Sequence, residues 1–301
     1  MKILLFFLLF FGLSIHSLLA ISGGYFVNPP FLSIDIKSGS EKSFYIEVGN
    51  NTKSFESFDL SVVDFGSLDE SGGVAFLNNS LEVGNRKYAL ALWISLEKNI
   101  VVVAPGQKEK VKVTILNKES LSAGGHYGAI LVTLQSGERI NTEVVGVKQS
   151  LASLVYVQKI GGVNKSLILR GIEYKKNLWK LIDQLSIRLE NNGNVHLTPR
   201  GKIEINNPLG KIVGKGIIND GSSLILPESY RVFKISMMKF NQWNWPGNYN
   251  IKISYRYDGK DDYVVTSLST FYFGKEGISI CFVILFVIVI FSLKILPYHR
   301  K

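Results

Sequence analysis

Asn248-Tyr249-Asn250-Ile251-Lys252-Ile253-Ser254-Tyr255-Arg256-Tyr257 decides how this chain is read. Tyr249, Ile251, Ile253, Tyr255 and Tyr257 occupy every second position, and Asn250, Lys252, Ser254 and Arg256 fill the positions between. Successive side chains of a β-strand point to opposite faces, so this spacing predicts a strand with one buried and one wet face. The same alternation sets Val111, Val113 and Ile115 against Lys110, Lys112 and Thr114. It also sets Leu185, Ile187 and Leu189 against Ser186, Arg188 and Glu190. Leu60, Val62 and Asp64 against Ser61 and Val63 is a weaker instance. Ser38-Gly39, Pro105-Gly106, Asn192-Gly193, Pro208-Leu209-Gly210, Pro246-Gly247 and Asp258-Gly259 fall between the apolar runs. Those residues favour tight turns. Short strands between such turns predict an all-β chain built as β-sandwiches rather than a barrel.

An internal repeat sets the number of sandwiches. Pro105, Val111, Val113, Ile115, Gly125 and Tyr127 recur as Pro227, Phe233, Ile235, Met237, Gly247 and Tyr249, each 122 positions later. Upstream, Phe44, Ile46 and Val48 lead into Asn50-Asn51 as Leu185, Ile187 and Leu189 lead into Asn191-Asn192, at an offset of 141. The first copy therefore carries an insertion, placed at Phe65 to Arg86. The chain thus divides into two tandem units, Gly23 to Lys159 and Ser166 to Phe273, with a hinge at Gly161-Gly162. The last strand of the first unit is expected over Thr142 to Val157. Tyr127 and Tyr249 are expected to bury their rings and bond backbone with their hydroxyls, as a tyrosine corner does.

Hydrophobicity at the two ends places the units. Gly277 to Leu293 has no charged residue, and a helix over Gly277 to Leu296 spans about 30 Å, the thickness of a bilayer core. A buried strand of that length is rare. Met1 to Ala20 has a basic Lys2, an apolar run from Ile3 to Leu13 and a small residue at Ala20, the pattern of a signal peptide. Cleavage after Ala20 or Ser22, or retention as an anchor, exports the two units in either case. Lys294, Arg300 and Lys301 then keep residues 297–301 cytoplasmic. Gly274-Lys275-Glu276 is expected to be a short linker to the span.

The single cysteine, Cys281, lies inside this span, so the exported part has no disulfide. That favours a bacterial or archaeal surface protein over an animal one. Net charge is +10, of which +6 belongs to the exported part. The excess suits an anionic surface such as wall polymer or lipid headgroups, or reflects an A·T-rich genome that uses Lys, Ile and Asn freely. The basic residues alternate along strands and form no block, which argues against nucleic acid.

No residue pattern favours catalysis, and the chain is expected to be non-enzymatic. His126 and His196 have no nucleophile signature beside them. Asp64, Asp69 and Glu70, and Asp261-Asp262, sit among glycines and read as solvated loops rather than paired catalytic carboxylates. Two histidines without cysteine give no zinc site, and no metal or cofactor is expected. Trp93 and Trp179 alternate with apolar neighbours and read as core. Trp243 and Trp245, at strand spacing before Pro246-Gly247, either close the core or present two indoles to a sugar or a partner protein.

Asn50-Asn51 after an apolar strand, Pro105-Gly106-Gln107 before Val111 to Ile115, and Gly124-Gly125-His126-Tyr127-Gly128-Ala129-Ile130 resemble the first domain of the WxL-interacting proteins of Gram-positive bacteria. Asn191-Asn192-Gly193, Pro227 to Phe233 and Pro246-Gly247-Asn248-Tyr249 resemble their second domain. The resemblance implies a secreted, two-domain, Ig-like protein with a C-terminal span and a basic tail, whose first domain meets peptidoglycan and whose second meets a host or partner surface. The expected function is a cell-surface module that binds cell-wall polymer or another envelope protein. The alternatives are a structural spacer in an envelope complex and a chaperone-like binder that offers a strand edge.

Overall fold

The computed structural model describes residues 24–37, 39–77, 87–116, 121–135, 149–240 and 243–295. The expected signal segment 1–20 and tail 297–301 lie outside these residues, as do 78–86 of the insertion and 142–148 of the expected strand.

Alternation becomes sheet as the sequence predicts. Tyr25–Asn28 (β1), Lys42–Asn50 (β3), Lys108–Ile115 (β8) and Ile94–Leu96 (β6) form one sheet in the order β1-β3-β8-β6. Phe31–Ile36 (β2), Ser150–Lys159 (β10), Gly124–Leu134 (β9), Glu56–Ser67 (β4) and Val74–Leu77 (β5) form the facing sheet in the order β2-β10-β9-β4-β5. Ile100–Val103 (β7) also pairs with β4. Pro29 and Pro30 carry no N–H, so the chain leaves the first sheet there and β2 joins the second. Between the sheets, Ile46, Val48, Val111 and Val113 meet Phe58, Leu60, Ile130 and Val155 in a dry core.

The second half repeats this plan. Leu167–Tyr174 (β11), Gln184–Asn191 (β12) and Ser229–Ser236 (β15) form a three-stranded sheet. Met238–Lys239 (β16), Ile212–Ile218 (β14), Arg200–Asn206 (β13), Gly247–Arg256 (β17) and Val264–Tyr272 (β18) form the sheet β16-β14-β13-β17-β18. Order β1-β3-β8 corresponds to β11-β12-β15, and β10-β9-β4-β5 to β18-β17-β13-β14. Tyr249, Ile251, Ile253 and Tyr255 of β17 are all buried in its core, as their spacing predicts.

Two asparagines hold equivalent corners. Asn50 donates from Nδ2 to Ser54 O (2.8 Å) and Val103 O (2.9 Å), and its Oδ1 accepts from Thr52 N (2.9 Å). Asn191 donates to Val195 O (2.7 Å) and Ile225 O (2.9 Å) and accepts from Gly193 N (2.9 Å). Both are fully buried. Each side-chain amide substitutes for a missing strand partner at the point where the chain turns out of its sheet.

Three expectations change at the edges of elements. The last strand of the first sandwich is described over Ser150–Lys159, and runs beyond Val157 because Gln158 and Lys159 pair with Gly125 and Gly124. Trp179 is not core: it lies in the loop between β11 and β12, 55% exposed, edge-on to Phe273 at 5.6 Å. Gly274-Lys275-Glu276 is no linker but the first turn of an apolar helix, Gly274–Ile295 (α1), long enough to cross a membrane.

The matched corners give a direct test. Asn191→Ala strands two buried carbonyls and one amide, and should cost about 2–4 kcal/mol in urea unfolding. Asn192→Ala, at the exposed neighbour, should change the midpoint little.

Candidate binding cleft and free strand edges

The alternation rule fails in β9, and that failure locates the cleft. Gly124 to Leu134 is buried almost continuously, because both faces of its sheet are covered. The inner face belongs to the first core. On the outer face Phe65, Tyr127, Ala129 and Tyr156 form a second apolar cluster, closed by Leu224 and Leu226 from the segment after β14. Rings pack edge to face, with Phe65–Tyr156 centroids at 5.2 Å and Tyr156–His196 at 5.3 Å. Polar contacts rim the cluster. Val232 N donates to Glu70 O at 2.8 Å, and Arg188 forks onto the Glu70 carboxylate while stacking on Tyr230 at 3.9 Å. Lys87 Nζ and Tyr88 OH both donate to Glu228 Oε1, at 2.6 and 2.8 Å. Ion pairs as exposed as these contribute about 0–1 kcal/mol each, whereas each buried large side chain contributes about 1.5–3 kcal/mol. The aromatic patch therefore dominates the union of the two sandwiches.

Beside the patch the sandwiches part into a cleft of about 720 Å³. Phe31, Leu154 and Tyr156 line it from the first sandwich, and His196, Arg200 and Arg231 from the second. Arg231 lies against Gly72, whose backbone is left-handed (φ +95°); a β-carbon there would stand 2.0 Å from the guanidinium carbon. Its Nη1 donates to Leu224 O at 2.8 Å, and burial pulls its pKa down from the usual arginine range. Among the described residues neither Arg231 nor Arg200 takes part in an ion pair. Their positive charge is thus offered to the cleft.

The residues singled out in sequence take other roles. Asp64 Oδ1 accepts Leu90 N and Ala91 N at 2.7 Å, holding the short helical turn Ala91–Trp93. Asp69 accepts its own loop at Ser71 N (2.8 Å), and Glu70 belongs to Arg188. The three acids are not brought together, and Asp261 and Asp262 stay solvated. His126 lies between Ala89 O and Ser122 O at 3.0 and 2.9 Å. Tyr249 OH donates to Trp245 O at 2.8 Å, the expected corner bond. Tyr127 OH does not follow it: its partner is His196 Nδ1 at 3.4 Å, across the junction. Trp243 and Trp245 are exposed and touch edge to face at 6.3 Å. Neither is part of the core.

Two edges of the second-layer sheets stand open among the described residues. β2 covers β10 only from Leu154 to Lys159, leaving Ser150–Ser153 without a strand on that side. β18 is paired by β17 over Val264–Tyr272, and no strand pairs with its other side. That strand reads Val-Val-Thr-Ser-Leu-Ser-Thr-Phe-Tyr, with no charge, proline or glycine. Natural edges are usually blunted by such residues, and an unblunted one is a template for another strand.

No protein-family model matches the chain, and no curated protein matches it in sequence. Solved structures are similar in fold. One is the chaperone–tip adhesin complex of CFA/I fimbriae biogenesis, 14% identical over 81% of this chain and 97% of that one, TM-score 0.44. Another is the class 5 fimbriae chaperone CfaA, 15% identical over 81% and 98%, TM-score 0.41. A third is the Salmonella enterica SafA pilin in complex with the SafB chaperone, 8% identical over 81% and 96%, TM-score 0.38. At these values the likeness is one of β-sandwich architecture. The resemblance to WxL-interacting proteins is corrected here, because no family model supports it. The motifs that carried it are the corner asparagines and turn glycines that this kind of sandwich uses for its own backbone.

Burial holds the His196 imidazole below the usual histidine range. Above about pH 6.5 the ring is neutral in folded and unfolded chains alike. Below that the unfolded chain takes up the proton first, so stability falls as pH falls towards the folded value. Thermal unfolding should shift to lower temperature between about pH 7.5 and pH 5, with a shallower dependence in His196→Asn.

Proposed function

We propose that the chain is a membrane-anchored, non-enzymatic protein that captures an extended segment of another envelope protein by strand addition. The observation that carries this reading is the unpaired, uncharged edge of β18. Main-chain N–H and C=O groups along such an edge supply affinity, and the side chains beside it supply selectivity. A strand edge recognises peptide backbone and not glycan, so the partner class is an envelope protein rather than cell-wall polymer. The cleft supports the same reading. Arg231 and Arg200 suit an acidic group, and the turn leading into β18 borders the same cleft at Asp258, whose carboxylate accepts Thr198 N at 3.0 Å. Anchoring rests on α1, whose apolar length suits a single crossing with the sandwiches outside. The non-enzymatic reading draws support from the engaged state of both histidines and of the acidic trio.

A photo-crosslinking amino acid at Ser267, on the exposed face of β18, should yield a covalent adduct with one envelope protein in the native membrane. The same group at Lys42 should give none. Ser267→Lys with Ser269→Lys should reduce partner capture by about tenfold, since charge blunts an edge. Equal adducts from both positions, or none from Ser267, would remove the proposal.

A further inference from the structure

The loops of the second sandwich gather at two ends. Asn206 pairs with Asn250, Tyr174 with Leu185, Gln184 with Ser236, and Gly247 with Tyr272. These registers put loops 175–183 and 207–211, β16 and residues 243–246 at one end, together with the last residue of β18. The first sandwich occupies the other end, through Asn194, Leu224 and Leu226.

The helix leaves from that same end with no spacer. β18 closes at Tyr272 and α1 opens at Gly274. Leu178 O accepts both Phe273 N (2.7 Å) and Gly274 N (2.9 Å), so the loop between β11 and β12 is bonded to the first residue of the helix. Tyr272 OH donates to the buried Glu276 Oε2 at 2.9 Å, and its own ring packs on Tyr249 at 5.4 Å. Tyr249 OH in turn holds Trp245 O. Two side chains thus link the Trp243–Trp245 pair to the helix, and Trp179 reaches it through Phe273.

We infer that this end of the second sandwich is a lipid-contacting collar: Trp179, Trp243 and Trp245 seat in the headgroup layer, and the lysines around them take anionic headgroups. The inference rests on the reading of α1 as a membrane span. A helix of 22 residues is about 33 Å long, little more than the hydrocarbon core, so loops bonded to its first turn lie at headgroup depth. All three indoles are about half exposed, and Leu178 beside them is 53% exposed. Indoles with an apolar body and one N–H are the side chains that favour this layer. Lys175, Lys176, Lys180 and Lys275 are exposed and take part in no ion pair among the described residues, whereas Lys239 is neutralised by Asp183. Their long apolar stems suit burial beside acyl chains with the ammonium at the phosphates. A sugar-binding pair would not need to stand where the helix enters the bilayer.

The test uses the full chain with Trp93→Phe, which leaves the three collar tryptophans, reconstituted in phosphatidylcholine vesicles with or without phosphatidylglycerol. Lipids brominated near the headgroup end of the acyl chain should quench the fluorescence to roughly half. Phosphatidylglycerol should deepen the quenching, and Lys175→Gln, Lys176→Gln, Lys180→Gln and Lys275→Gln together should abolish that dependence. In Trp243→Phe with Trp245→Phe, Trp179 alone should remain quenched. A chain that floats with the vesicles but shows no quenching overturns the collar and leaves the anchor standing. A chain that does not float overturns the anchor and the collar with it. Emission that shifts with a soluble oligosaccharide or envelope extract, in the absence of lipid quenching, assigns the indoles to another ligand and overturns the collar.

Discussion

The sheet β2-β10-β9-β4-β5 is covered on both faces along β9, and the rest of the molecule follows from that constraint. One face closes the first core through Ile130, Val132, Val155 and Val157. The other meets the second sandwich through Phe65, Tyr127 and Tyr156. A strand in such a position has no wet side on which to place charge. Small residues at Gly128 and Ala129 let neighbouring groups approach: a β-carbon at Gly128 would stand 3.1 Å from Ile94 and 3.2 Å from Leu90. Leu224 and Leu226 cover the aromatic face, and beside them the sandwiches part into the arginine-lined cleft.

Much of the fold was legible because half-buried strands advertise their faces. β17, β8 and β12 alternate cleanly, and each buries the set that the alternation assigns to the core. The repeat was legible for the same reason, since equivalent strands bury equivalent positions. The cleft was less legible. Arg200 and Arg231 sit in strands that look like any other alternating segment, and nothing local distinguishes an arginine facing a cleft from one facing solvent. The usable signal was negative: Gly124 to Leu134 breaks the polar–apolar rhythm, which a strand does when something covers its second face. The insertion at Phe65 to Arg86 was a second such signal. Glu70 and Gly72 within it dock on Arg188 and Arg231, a role that only the assembled pair of sandwiches reveals.

Where sequence reasoning assigned a residue to the wrong surroundings, long-range geometry was the cause. Tyr127 and Tyr249 occupy one repeat position, yet Tyr249 finds its own corner at Trp245 O and Tyr127 finds His196 across the junction. The local chemistry is the same; the environment differs because only the first copy has a sandwich stacked on that face. Trp179 has apolar neighbours in sequence, but Leu181 and Ile182 turn into the core while Leu178 and the indole stay outside, the indole against Phe273. Family-like motifs misled for a related reason. Asn50 and Asn191 are demanded by the backbone they satisfy, so their presence reports a type of corner and not a lineage.

The pair of amides that Leu178 O accepts has a mechanical meaning. A flexible tether would let a helix tilt in its bilayer while the outer body kept its own attitude. Here the hydrogen bonds from Phe273 and Gly274, with the Tyr272–Glu276 contact beside them, weld the axis of α1 to the sandwich above it. Helices adjust to membrane thickness by tilting. Under the proposed anchoring, tilt is transmitted through the weld to the sandwiches above, and the displacement it causes grows with distance from the bilayer. The posture of the outermost strands then becomes a readout of the thickness of the bilayer below.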